Sequence, residues 1–404
     1  MNDALKQSLT ILLTDSPKIT QDDRKQVAEI LLRQVIQNGS QIAPQLMVPI
    51  GHLIKIYTGP IDSDYHANLY TIFIAIADHH PKKTFSQTVP FVDSIMSLCG
   101  RIKSSGKITY DLMFDLIVQM AEVILQPTTN SYSKSIFELE SLPLLSALIN
   151  QLLYVLVTTP SQTSQKRIIR ILVELFNQNH KYTSVILSTI FPGVFTHLTK
   201  IIDPNNKPVT TATQVAALDA VGVLTLKVLT PFQKVIAPAN LQDLLPSDPV
   251  QWQNNTKTKV SEKLFNLVTT ILSSNFISCV MASLKMMSKL VCIMDEEFKK
   301  EFIYTCGYAV QSDAISVNLS QVKRVLRDSK LLTSDILVAI HSTFTNNVKE
   351  LVCQGQKTRL VGSSGLLKLV DDTLLGAFID TQQLVCEVLG HFFNFVFFLF
   401  RSKV

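Results

Sequence analysis

Charged side chains are scarce in this chain. Asp, Glu, Lys and Arg make up 17% of its 404 residues, against roughly 25% in ordinary globular domains. Hydrophobic residues reach 47%, so the outer faces are expected to be solvated by Ser, Thr, Asn and Gln, with a partner-covered apolar surface as the alternative. Thirty-seven basic and 32 acidic residues leave a formal charge of +5. That balance argues against nucleic acid as a partner, which requires a strong basic face. Lys166-Arg167 with Arg170, and Lys323-Arg324 with Arg327, are expected as short solvated ridges on helices.

Other absences narrow the class further. The six cysteines, Cys99, Cys279, Cys292, Cys306, Cys353 and Cys386, contain no C-x-x-C pair and lie far apart. They read as reduced, buried, intracellular residues, with neither a disulfide frame nor a zinc site. Met1 to Lys6 lacks a basic start followed by an apolar core, so it does not read as a signal peptide. Long alternating apolar-polar runs, the mark of half-buried strands, are missing throughout.

A catalytic constellation is missing too. Gly100 to Lys107 has five residues between its glycines where a phosphate-binding loop needs four, and Ile108 stands where the hydroxyl belongs. Gly362-Ser363-Ser364-Gly365 lacks the lysine and reads as a kink or close helix contact. His79-His80 end a helix at Pro81 and are expected to cap it rather than bind metal. Asp295-Glu296-Glu297 and Asp371-Asp372 fit helix starts or polar helix segments better than paired catalytic carboxylates. No catalytic, cofactor-binding or metal-binding residue is assigned, and the chain is not expected to be an enzyme.

What is present is helix grammar, clearest from Asp248 to Cys306. Trp252, the only tryptophan, opens a pattern with Val260, Leu264, Leu267, Val268, Ile271 and Leu272 at steps of three and four. Those steps put the side chains on one helix face. Ser273-Ser274-Asn275 breaks the pattern. Phe276, Val280, Met281, Leu284, Met287 and Val291 form a second helix, and Phe298, Phe302 and Cys306 a third. Leu267 and Leu284 are expected to be buried where helices meet. Trp252 is expected as a staple or inter-repeat wedge rather than a partner anchor.

The same grammar organises the rest. Residues 1–126 form an N-terminal block of helical repeats, with helices expected over 2–13, from Gln21 to a stop at Asn38-Gly39, over 42–57, after Asp62-Ser63-Asp64, over 89–102 and over 110–125. Pro127 to Glu140 is a polar connection. Residues 141–230 form a middle block with helices over 142–157, 161–178, 182–202 and 209–229. Residues 231–249 hold Pro231, Pro238, Pro246 and Pro249 and form a crossover loop. Residues 250–404 are the C-terminal block. Helix pairs recur at roughly 45 residues, the period of HEAT and armadillo units. The fold class is all-α, an α-solenoid of HEAT/armadillo-like helix pairs. The end, Phe392 to Phe400, is apolar all round but shorter than the roughly 20 residues of a membrane span. It reads as a chain truncated before further repeats, with a buried helix or a tail-anchor remnant as alternatives.

One ordering of features carries a family resemblance. Phe191-Pro192-Gly193-Val194 leads through the Asp203–Pro208 loop to Ala216-Ala217-Leu218. Pro246 and Pro249 precede Trp252, Thr256 and Lys259. Asp328-Ser329-Lys330-Leu331-Leu332 then precedes a helical pair through Leu366-Leu367-Lys368-Leu369 and Leu374-Leu375. Over about residues 185–390 this resembles the N-terminal half of the Tel-two-interacting protein-one family, the large HEAT-repeat subunit of the Triple-T complex. Phe276-Ile277-Ser278-Cys279 departs from that family, which starts the second central helix with tryptophan and basic residues. The resemblance implies a non-enzymatic scaffold, cytoplasmic and also nuclear. Its implied partners are Tel-two-like and Tti-two-like helical subunits, the heat-shock-protein-ninety chaperone machinery and the phosphatidylinositol-3-kinase-related kinases it helps to mature. It implies no membrane, no nucleic acid, no cofactor and no residue-level site. The competing class is another HEAT or armadillo adaptor, such as a nuclear transport receptor.

Overall fold

A computed structural model describes residues 3–14, 18–80, 85–106, 110–125, 136–178, 182–204, 209–230, 241, 245–272, 276–290 and 293. Every regular element among them is helical: α1 (Asp3–Leu13), α2 (Gln21–Ile56), α3 (Asp64–His79), α4 (Phe85–Ser105), α5 (Asp111–Leu125), a 3₁₀ turn (Leu139–Ser141), α6 (Leu142–Thr158), α7 (Gln162–Phe176), α8 (Thr183–Ile202), α9 (Thr211–Val228), α10 (Pro249–Leu272) and α11 (Ile277–Leu290). The expected helices over 2–178 and 182–272 are present within a few residues of their expected ends. The third central helix, the repeats beyond it and the apolar C-terminal stretch lie outside the described residues.

Hydroxyl caps start several of these helices. Thr20 and Asp23 form a capping box, with Asp23 N–H donating to Thr20 Oγ1 at 3.1 Å and Thr20 N–H to Asp23 Oδ2 at 2.9 Å. The Thr20 hydroxyl, donating to Asp23 Oδ2 at 2.7 Å, and then the Thr20 N–H hold the Asp23 carboxyl below its usual range. The Ser63, Ser161 and Thr210 hydroxyls accept from the N–H of His66, Ser164 and Thr213 and so cap α3, α7 and α9. Each cap satisfies an N–H that has no partner in the first helical turn.

The chain clusters into two compact units, one of residues 1–197 with 232–249, the other of 198–231 with 250–404. In the first, α2 is two arms. Its backbone leaves helical geometry at Asn38 (φ −129°, ψ 30°), where the sequence places a stop. A straight helix would hold Arg24 and Leu53 about 44 Å apart, yet both line one cleft, so the arms fold back on each other. Gly39 is fixed by the end of α3: a Cβ there would collide with the His79 side chain.

Sequence neighbours run antiparallel and next-but-one helices run parallel. Tyr70 reaches Ser94 and Phe73 packs on Phe91, the antiparallel register of α3 and α4. Lys25 meets Asp64 while Gly39 meets His79, so α3 runs parallel to the first arm of α2. Gly51 faces Pro90 and Lys55 meets Asp93, so α4 runs parallel to the second arm. The contacts of α2 with α4, α4 with α6, α3 with α5 and α5 with α7 continue this alternation. One layer is the second arm of α2, α4 and α6; the other is the first arm, α3, α5 and α7. Long-range pairs between repeats are 38, 39, 45, 48 and 52 residues apart, nearer the HEAT and armadillo periods than the 34 of a tetratricopeptide unit. This is an α-solenoid, in which each repeat buries its apolar face on its neighbours.

In the second unit α11 packs on α9. Cys279 Sγ donates to Gln214 Oε1 at 3.4 Å and Met286 lies against Gly222, so these helices too run parallel. Gln253 Nε2 donates to the carbonyls of Val228 and Thr230, tying the start of α10 to the end of α9. Trp252 beside it is half-buried. Leu267 is buried as expected, and Leu264 on the same helix is buried too; the side chain of Leu284 lies outside the described residues.

Three stretches, Leu139–Thr158, Thr183–Ile202 and Thr211–Val228, are long and apolar enough to cross a membrane by length and composition alone. Half or more of each is buried within the fold, 50%, 67% and 50%. Their apolar surface is in large part helix-packing surface.

Candidate interaction surface

The two layers of the first unit differ sharply in charge. The second arm of α2, α4 and α6 carry only Lys55, Asp93, Arg101 and Lys103. Their partner layer has Asp111, Asp115 and Glu122 on α5 alone, and Lys166, Arg167, Arg170 and Glu174 on α7. The few charges of the first layer are engaged. Lys55 Nζ pairs with Asp93 at 3.0 Å, and Lys103 reaches Gln151 at 3.4 Å while sitting 4.2 Å over the Tyr154 ring. Between them Val48, Val89, Met96 and Val157 are exposed, Val48 to 69%. Depletion of charge around exposed apolar side chains is the composition of an interface core. The helix-interior prolines Pro44, Pro49 and Pro90 fall on this layer as well. Each removes an N–H and so leaves the carbonyl four residues earlier without its helical donor.

The charged layer is laced across its repeats. Arg167 donates from Nε to Glu122 Oε1 at 2.9 Å and from Nη1 to Asp115 Oδ1 at 2.5 Å, and a second bond joins Nη2 to Glu122 Oε2. Gln119 donates to Asp115 at 2.7 Å, and Arg170 to Glu174 at 2.7 Å. Glu122 is the main cause of the raised pKa of Arg167. The ridge at Lys166–Arg170, expected as a solvated face, is therefore in part an inter-helix clamp. The spacing within α7 could not show this, because the acids that hold Arg167 lie 45 and 52 residues upstream.

A second knot ties the α2–α3 loop to α4. Arg101 Nη2 donates to the Gly59 carbonyl at 2.6 Å and Nη1 lies 3.4 Å from His66 Nε2. A guanidinium only donates, so Nε2 accepts and His66 Nδ1–H donates to the Ile61 carbonyl at 2.9 Å. Tyr57 stacks on His66 at 4.5 Å. Burial pushes the His66 pKa down to about 4. Nothing in the residue order marks this knot beyond a histidine two residues into a helix.

The rejected sequence candidates fall where packing explains them. Gly100 to Ser105 are helical and Gly106, at φ +66°, closes α4. His79 Nδ1 donates to the Ala75 carbonyl at 2.9 Å, a bond back into its own last turn. Cys99 is buried, which raises its thiol to about 12 and keeps it protonated. Among the described residues no three His, Cys, Asp or Glu side chains group as metal ligands.

Alternating antiparallel helices, in-register layers and one charge-poor face define a helical-repeat scaffold. Residues 85–231 match the family model of the TTI1 N-terminal TPR domain, and that stretch is similar to the N-terminal region of the TTI1 family. That family is one of helical scaffolds rather than enzymes, and it implies protein–protein interaction. The match covers α4 to α9 and shares residues 185–231 with the stretch that carries the resemblance. No curated protein matches the chain.

Proposed function

We infer that this chain is a non-enzymatic scaffold subunit of a Triple-T cochaperone complex. In this reading it joins Tel-two-like and Tti-two-like helical subunits and works with the heat-shock-protein-ninety system. It supports maturation and assembly of phosphatidylinositol-3-kinase-related kinases in the cytoplasm and nucleus, without nucleic acid, membrane or cofactor. The observation that carries the reading is the match of residues 85–231 to the TTI1 N-terminal domain. The charge-poor face of α4 and α6 within that stretch supports it, being suited to a protein partner rather than a polyanion.

Affinity purification of the full chain from its source cell, with mass spectrometry of what co-purifies, tests it. Recovery of two further helical subunits together with giant kinases is the expected result. Recovery of small GTPases and nucleoporins instead would identify a transport adaptor and overturn the reading. Val48→Asp with Met96→Asp places two charges on the charge-poor face and is expected to lower partner recovery at unchanged helical content.

A further inference from the structure

The chain's net charge is not shared between its two units. The first holds 17 basic and 17 acidic residues, the second 20 basic and 15 acidic. In the first, four basic side chains are held by carboxylates: Lys25 by Asp64, Lys55 by Asp93, Arg167 by Glu122 and Asp115, Arg170 by Glu174. Three lysines of the second are not held in this way. Lys257, Lys259 and Lys263 on α10 make no ion pair or hydrogen bond among the described residues.

Two of these lysines stand on one stripe. Residues 259, 263, 266 and 270 follow at steps of four, three and four, one face of α10. The lower part of that stripe, Lys263, Asn266 and Thr270, lines a cleft of about 270 Å³ closed on the other side by Thr199, Lys200 and Asp203. Leu267 forms its floor and is only 8% exposed. The cleft thus offers an apolar floor, an exposed amide and lysines on both walls, with Lys259 one turn beyond.

We propose that this cleft is a docking site for an acidic peptide segment of a partner protein, with spaced carboxylates around one apolar side chain. The apolar side chain sits on Leu267, and the carboxylates meet Lys263 and Lys259. The Asn266 amide meets the peptide backbone. Glu262 and Asp203 flank the stripe and repel an anion of uniform charge, so the occupant is a peptide with separated charges rather than nucleic acid. Too few cations converge here for the many phosphate contacts that nucleic-acid affinity needs. The proposal does not depend on the cochaperone reading, since it rests on α8, α10 and the charge of the second unit alone.

Fluorescence anisotropy on the full chain tests it. The probe is a short fluorescein-labelled peptide that spaces glutamates around one leucine. The same peptide with glutamine for glutamate, and a labelled oligothymidylate of matched charge, serve as controls. The glutamate peptide is expected to bind at low salt and weaken as salt rises. The double variant Lys259→Glu, Lys263→Glu should weaken it roughly tenfold or more, whereas Lys285→Glu on α11 should change it less than about twofold. Circular dichroism confirms that each variant is folded. No peptide binding at low salt, equal loss in the α10 and α11 variants, or tighter binding of the oligonucleotide would each overturn the proposal. None of these outcomes bears on which subunits co-purify with the chain, so the two readings fail separately.

Discussion

Arg167 Nε and Glu122 Oε1 meet at 2.9 Å across 45 residues of sequence, and with Asp115 they join α7 to α5. Both partners are largely removed from water, with side chains 26% and 20% exposed. Deleting one partner leaves the other half-buried and under-bonded. Arg167→Ala is expected to lower unfolding stability by about 1–3 kcal/mol. Arg170→Ala, which removes an exposed pair with Glu174 one turn away, is expected to leave the denaturant midpoint nearly unchanged. Urea melts of the two variants check this; equal effects would mean that the clamp contributes nothing beyond a surface pair.

Gly222 and Met286 set how closely α9 and α11 approach. A Cβ on Gly222 would stand 3.1 Å from Met286 Cγ. Alanine there gains about 1 kcal/mol of helix propensity, and the methionine side chain is flexible, so Gly222→Ala is expected to be near neutral. Gly222→Ile overfills the contact and is expected to cost about 1–3 kcal/mol. Met286→Ala in the isoleucine background should recover part of that loss, a coupling that a double-mutant cycle reads directly.

The helices were legible because their signals are local. Steps of three and four placed Leu264 and Leu267 on a buried face, and Asn38-Gly39 marked a stop that the fold uses as a reversal within α2. The hydroxyl caps are equally local: Ser63 and Ser161 stand at the expected starts of α3 and α7, and Thr210 sharpens that of α9. The inter-repeat features were not legible, since each depends on register between helices some 40 residues apart. Arg167 read as one of a solvated trio because Asp115 and Glu122 belong to another repeat. The charge-poor layer appeared only as a low overall charged fraction; assigning alternate helices to alternate layers turned that average into a surface. The His66 knot needs the α2–α3 loop folded over Arg101, which no pattern in the loop announces.

Leu264 and Leu267 separate core from cleft on one helix. Leu264 is fully buried, whereas Leu267 floors the cleft beside Lys263 and is 8% exposed. Leu264→Ala is expected near the upper end of the roughly 2–5 kcal/mol for such truncations, and Leu267→Ala near the lower end, because water or neighbouring side chains can fill the space left in a cleft. Chemical denaturation of both variants measures the difference. The reverse order would mean that the apolar face of α10 is rotated from the one described.

His66 makes stability depend on pH in a stated direction. Its folded-state pKa is pushed down to about 4, first by burial, and the facing Arg101 guanidinium adds to this, while the Ile61 carbonyl acts the other way. In the unfolded chain the ring titrates near its ordinary value of 6.5. Above pH 6.5 the ring is neutral in both states and its contribution is complete. Between pH 6.5 and 4 the unfolded chain binds a proton that the folded ring refuses, so stability falls by about 1.4 kcal/mol per pH unit, or about 3 kcal/mol over the window. Protonation would also set an N–H on Nε2 against Arg101, which has no acceptor to offer. His66→Asn is expected to be less stable at pH 7, through loss of the Tyr57 stacking, but to lose less further stability down to pH 4.5. Urea melts at pH 7.5, 6, 5 and 4.5 on both proteins isolate this group from carboxylates common to the two. Parallel curves would show that His66 is not held neutral by the fold.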